Sequence, residues 1–143
     1  MAAVRRTKAV ELFWRIHPYL YRWSGGRIGG KIGPMPVLLL HTKGRKTGEP
    51  RTSALTYLPD GAAYVVIASF VGEPRHPAWL LNLRAAPEAE IEVGSRRIRV
   101  RAREAAGTER GRLWSAVVAQ VPDYAEYQSR TERTIPVVVL EPR

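Results

Sequence analysis

Residues 37–58 read VLLLHTKGRKTGEPRTSALTYL. A continuous apolar run, Val37 to Leu40, gives way to a loop punctuated by Gly44 and Gly48, and the segment returns as an alternating, β-branched stretch. This is the pattern of a strand, a basic turn and a second strand. Gly44 and Gly48 allow positive φ and close approach of a ligand to the backbone; Thr42 and Thr47 add hydroxyls, and Lys43, Arg45, Lys46 and Arg51 bring four cations to one bend. Phosphate or a polycarboxylate tail is the natural guest of such a bend. No GKT or GKS follows the second glycine and no GxGxxG is present, so neither a Walker loop nor a dinucleotide fingerprint accounts for it. A solvated hairpin tip whose charges keep a sheet edge soluble is the other reading, and chemistry alone leaves both open.

At 143 residues the chain has the length of one domain with a core of its own. Hydrophobic residues at 45% and charged residues at 25% are ordinary globular values and argue against wholesale disorder. There is no cysteine, which excludes disulfides, thiolate metal sites and cysteine nucleophiles. The formal net charge of +10 calls for an anionic partner: nucleic acid, a membrane surface or a phosphorylated small molecule. No apolar run reaches the length of a membrane span, and the N-terminal residues lack the pattern of a signal peptide, so an intracellular place is expected.

The expected organisation is a basic amphipathic helical arm over 1–24, a Gly/Pro-rich linker over 25–36 and a β-domain over 37–143. The arm carries Leu12, Phe13, Ile16, Leu20 and Trp23 at helical spacing among arginines, with a break at Pro18. After the central hairpin come a turn at Pro59-Asp60-Gly61, a buried strand over Tyr64–Ser69, and a helix opening at Pro77 and stopping before Pro87. Strands near Ala89–Val93 and Arg96–Glu104 follow, the second alternating Arg97, Arg99, Arg101 and Arg103 with apolar residues, so that one face is a cationic ladder. A helix capped by Thr108 runs through Val121, then a tyrosine-bearing stretch, then a last strand over Ile135–Leu140. Six strands with short, mostly antiparallel connections and flanking helices describe an α+β, mainly β, single-domain split β-barrel.

The scattered carboxylates suit surface counter-charges better than paired acid–base catalysis. His17, His41 and His76 show no ligand spacing, so no metal site is expected. Ser69, ending an apolar strand, either bonds a ligand across the barrel mouth or satisfies nearby backbone. Tyr124 and Tyr127 share a helix face and either wall an aromatic ligand or pack in the core. No motif for specific nucleic-acid recognition is present, leaving nonspecific phosphate attraction as the alternative function.

Four segments together, HTKGRKTGEPR (41–51), YVVIASF (64–70), HPAWLLNLRAAP (76–87) and DYAEYQSRTERTIPVVVLEP (123–142), resemble the deazaflavin-dependent nitroreductase family. The resemblance covers the chain from about Gly25 onward. It implies a split β-barrel related to flavin-binding oxidases, holding coenzyme F-420, an 8-hydroxy-5-deazaflavin, with flavin mononucleotide as the second choice. Lys43, Arg45, Lys46 and Arg51, with backbone around Gly44 and Thr47, would hold the coenzyme's phosphate and oligoglutamate tail. Ala68 and Ser69 would line the ring, and His76, Pro77, Trp79 and Asn82 would close the same side. Ser69, Tyr124 and Tyr127 would orient the acceptor or relay a proton. The implied reaction is hydride transfer from the reduced coenzyme to a planar small molecule such as a quinone or a nitroaromatic. Relatives often carry a further tyrosine where this chain has Val121, which shifts the expected acceptor from nitroimidazoles toward quinones. The resemblance also implies an actinobacterial, cytoplasmic protein, with residues 1–24 in peripheral contact with anionic lipid on the inner face of the membrane.

Overall fold

The computed structural model describes residues 31–32 and 35–143; the arm over 1–24 lies outside them. In chain order the elements are β1 (Lys31–Ile32), β2 (Met35–Lys43), β3 (Pro50–Thr56), β4 (Leu58–Asp60), β5 (Ala63–Ile67), a 3-10 turn (Phe70–Gly72), α1 (Ala78–Ala85), β6 (Glu88–Val93), β7 (Arg96–Glu104), α2 (Gly107–Gln120), α3 (Asp123–Ser129) and β8 (Val137–Pro142). Every strand pairing is antiparallel. The strands run β1-β2-β6-β7-β8-β5-β4, with β3 on the other side of β2. The two ends of this curved sheet, β3 and β4, are joined in the chain by Tyr57 alone, whose amide donates to the Pro36 carbonyl at 2.9 Å. This is the expected split barrel.

All six expected strands are present, and two short ones add to the count: β1 and β4. The turn expected at 59–61 lies one step later, because Leu58, Pro59 and Asp60 pair with Val65, Tyr64 and Ala63 around a tight turn in which Gly61 has φ 59°. Pro59 is tolerated in a strand at the sheet's edge, where its missing donor leaves no ladder bond broken. β5 stops at Ile67 rather than Ser69, and β8 starts at Val137, since Pro136 has no amide to donate. α2 begins at Gly107 and ends at Gln120, so Thr108 sits inside its first turn and does not cap it.

Alternation along β5 and β8 divides the interior in two, because successive side chains on a strand point to opposite faces. Val66, Ala68, Val138 and Leu140 face the barrel interior with Leu38, Leu40, Ile91 and Val100, and α1 seals this core with Trp79, Leu80 and Leu83. Val65, Ile67, Val137 and Val139 face outward onto Leu113 and Val117 of α2 and Tyr127 of α3. Both strands are thus buried on both faces, as their uninterrupted apolar runs require.

Candidate functional site

The basic bend is a loop closed by its own hydrogen bonds. The Gly44 amide donates to the Glu49 carbonyl and the Gly48 amide to the Gly44 carbonyl, both at 2.8 Å, and the Glu49 amide donates to the Thr47 hydroxyl. Gly48 has the positive φ of 75° expected of it, whereas Gly44 is needed for space: a Cβ there would lie 3.1 Å from the Glu49 carbonyl oxygen. None of these bonds uses the amides of Lys46 and Thr47, which remain as donors at the tip.

Asn82 on α1 locks the loop in place. Its Oδ1 accepts from the Arg45 amide at 3.1 Å, and its Nδ2 donates to the Thr42 hydroxyl at 3.2 Å. Asn82 is 5% exposed; its bond to Thr42 is buried and its bond to the Arg45 amide partly so. Trp79 stands one helical turn before Asn82, on the same face. A cavity of about 300 Å³ opens between loop and helix, lined by Gly44, Arg45, Lys46, Thr47, Arg51, Thr52, Ser53, Ala78, Trp79 and Asn82. Seven expected coenzyme-binding residues therefore share one cavity. Thr52, Ser53 and Ala78 join it unannounced, since none of them carries a charge.

Lys43 is placed elsewhere. Thr42 points to Asn82, so by strand alternation Lys43 points to the opposite face, where it lines a groove of about 390 Å³ with His41, Glu88, Glu90, Arg99 and Arg143. On that face His41 joins the Thr52 hydroxyl (2.9 Å) to Glu92 (2.6 Å).

The cationic ladder on β7 is largely neutralised. Arg97 pairs with Glu90 and Glu92, Arg101 with Glu88, and Arg103 with Glu109 and Glu141. The Arg97 and Arg103 guanidinia hold Glu90 and Glu109 below the ordinary carboxylate range. By contrast Lys43, Arg45 and Lys46 have no carboxylate partner among the described residues, and Arg51 has only Glu49 at 3.5 Å. The four cations of the loop thus have at most one weak carboxylate contact between them.

Ser69 follows the end of β5, 9% exposed, and its hydroxyl neither caps the 3-10 turn nor bonds any other described residue. The backbone-satisfying role open to it from sequence is thereby set aside. Its carbonyl, with those of Ala68 and Glu73, accepts from Arg133, which also meets His76 Nδ1 at 3.0 Å. Arg133 lies within the 123–142 segment of the resemblance, but the sequence assigned it no role. His76 and Pro77 lead directly into Ala78 at the cavity wall, and Ala68 packs with Trp79 in the barrel core.

The two tyrosines differ. Tyr124 hydrogen-bonds the Thr56 hydroxyl at 3.0 Å, joining α3 to the end of β3 across the split, and burial raises its phenol pKa above the usual value while this bond opposes the rise. Tyr127 is 8% exposed in the outer core and meets Tyr124 edge to face. Neither lines the cavity beside the loop. Among the described residues no cluster of three or more His, Asp or Glu could hold a metal, and no helix is long and apolar enough to cross a membrane.

A family model described as F420H(2)-dependent quinone reductase matches residues 13–142. An F420H(2)-dependent quinone reductase of Mycobacterium tuberculosis is 49% identical over 144 residues, covering 98% of this chain and 96% of the relative. Among solved structures, an F420-H2 dependent reductase superposes with a TM-score of 0.68 at 37% identity, over 74% of this chain and 94% of that one. A structure described as a domain-swapped dimer superposes with a TM-score of 0.71 at 30% identity, over 94% of this chain and 100% of the other.

Proposed function

The chain belongs to the F420H(2)-dependent quinone reductase family, and from that premise we propose which of its residues do the work. The protein is an oxidoreductase that uses coenzyme F-420 to reduce a planar small molecule, a quinone. The reduced deazaflavin supplies the hydride when bound. Everything else falls to the side chains.

Arg45, Lys46 and Arg51 hold the coenzyme's phosphate, assisted by the amides of Lys46 and Thr47. The observation that carries this reading is that these cations share a cavity while Arg97, Arg101 and Arg103 of β7 are matched by carboxylates. An anionic phosphate ester with several acceptor oxygens suits a cradle of guanidinium, ammonium and amide donors. Lys43, on the other face, is suited to the outer part of the acidic tail. Asn82 and Trp79 fix the cradle's shape, and Ala68, Ser69, His76 and Pro77 wall the ring. The Ser69 hydroxyl, which bonds no other described residue, orients coenzyme or acceptor, and Tyr124, whose phenol pKa burial raises, is the second polar group near the split; Tyr127 holds Tyr124 in position. Catalysis on this reading is chiefly orientation within a shaped site.

The test is oxidation of reduced F-420 by a soluble quinone, followed by the return of the oxidised deazaflavin's absorbance. Lys46→Ala and Arg45→Ala are each expected to raise the coenzyme Kd about tenfold or more, as loss of a charge-assisted bond implies. Turnover without saturable, cation-dependent coenzyme binding would overturn the assignment.

The division into an arm (1–24), a linker (25–36) and a barrel (37–143) is part of the proposal, with the barrel's strands reaching back to Lys31–Ile32 and Met35 within the linker's range, as is peripheral contact of the basic arm with anionic lipid. Deleting residues 1–24 should abolish cosedimentation with phosphatidylserine vesicles; equal sedimentation of both forms would refute it.

A further inference from the structure

The segment between β5 and α1 has one short 3-10 turn, Phe70–Gly72, to order its backbone. It also contains Phe70 at φ 46°, the sole non-glycine positive φ among the described residues. A side-chain-bearing residue in that region is strained and persists where the surroundings over-determine it. Arg133, from the irregular stretch between α3 and β8, supplies that constraint. Its Nη1 donates to the Ala68 carbonyl at 3.0 Å, its Nη2 to the Ser69 carbonyl at 2.7 Å and its Nε to the Glu73 carbonyl at 3.0 Å. No carboxylate pairs with it among the described residues. A half-buried guanidinium balanced only by carbonyls is a costly arrangement for closing a loop that a neutral residue could close.

The fourth contact has a chemical consequence. Arginine offers donors and no acceptor, so the 3.0 Å contact to His76 makes Nδ1 the acceptor and puts the imidazole's proton on Nε2. We propose that Arg133 is the positioning residue of the coenzyme site, setting the wall 68–76 and fixing His76 in the Nε2–H tautomer as a hydrogen-bond donor toward the deazaflavin ring. This rests on the reading that the ring lies against this wall. The surroundings agree: burial, then the Arg133 and Arg84 charges, depress the His76 pKa, opposed by Glu104. Glu73 and Arg75 are the other charged side chains of its own segment.

The experiment combines imidazole nitrogen NMR with coenzyme binding and turnover in wild type, Arg133→Met, Arg133→Lys and His76→Phe. In the wild type, His76 should show one tautomer with an acceptor-type Nδ1. Arg133→Met should average the two nitrogens, raise the titration midpoint and weaken coenzyme binding by about tenfold. Arg133→Lys should not rescue, because an ammonium cannot span four acceptors. His76→Phe leaves the guanidinium and its three carbonyl bonds in place, so its KM for the coenzyme should rise at an unchanged melting temperature; it serves if Arg133→Met does not fold. An unchanged His76 tautomer in Arg133→Lys, or an unchanged KM in His76→Phe, overturns the inference while leaving the coenzyme reading intact. Failure of the wild type to bind F-420 overturns that reading and this inference with it.

Discussion

Ser69 and Asn82 are both buried polar residues, yet they carry opposite expectations. Asn82 has both ends of its amide engaged, so Asn82→Ala strands a buried hydroxyl and a partly buried amide and should cost about 1–3 kcal/mol in urea denaturation, besides weakening the coenzyme. The Ser69 hydroxyl bonds no other described residue. Ser69→Ala should therefore leave stability within about 0.5 kcal/mol while lowering kcat/KM about tenfold, since only a ligand is left to lose the bond. A matching loss of stability and activity would return Ser69 to a structural role.

Between elements, the tightest junction is where α3 meets the 3-10 turn. Gly72 has φ 77°, and a Cβ there would sit 2.8 Å from the Tyr127 carbonyl oxygen and 3.0 Å from its Cα. Neither neighbour is a side-chain tip that could swing aside. Gly72→Ala should thus cost about 3 kcal/mol or more, read as a fall in the urea midpoint, and should displace α3 from the turn with the Tyr124–Thr56 bond it carries. α1 is tied to the barrel differently, by its buried leucines and by a two-pronged Arg84–Glu104 pair at 3.0 and 2.8 Å. That pair is about 40% exposed, so Glu104→Gln should cost only about 0.2–1 kcal/mol.

Over the whole molecule, charge sets the response to pH. Hydrogen bonds from arginines depress the folded-state pKa values of Asp60, Glu90, Glu104 and Glu109. Their contribution is present above the ordinary values of 3.8 for Asp and 4.5 for Glu and is lost as pH falls through the depressed folded ones. His76 is also depressed, so the unfolded chain binds its proton first and stability falls from pH 6.5 downward toward the folded pKa. Melting temperatures should decline gently below pH 6.5 and steeply below 4.5, and His76→Phe should remove the first of these phases. Much of this architecture was legible from residues 37–58 and 64–69, because the two-residue alternation of strands and the doubly buried apolar run are local signals. So was the basic loop, with its glycines and cations on consecutive residues. The sequence could not say that the arginines of β7 would meet Glu88, Glu90 and Glu92 across a strand pair, nor that Lys43 would turn to the face opposite Arg45. It could not mark Arg133 either, which reaches the carbonyl of a serine 64 residues earlier. Local chemistry determined which groups this protein owns; which of them are neutralised, which are engaged by the fold and which stay available to a ligand was decided by contacts between segments distant in the chain, and these exist only once the sheet has closed.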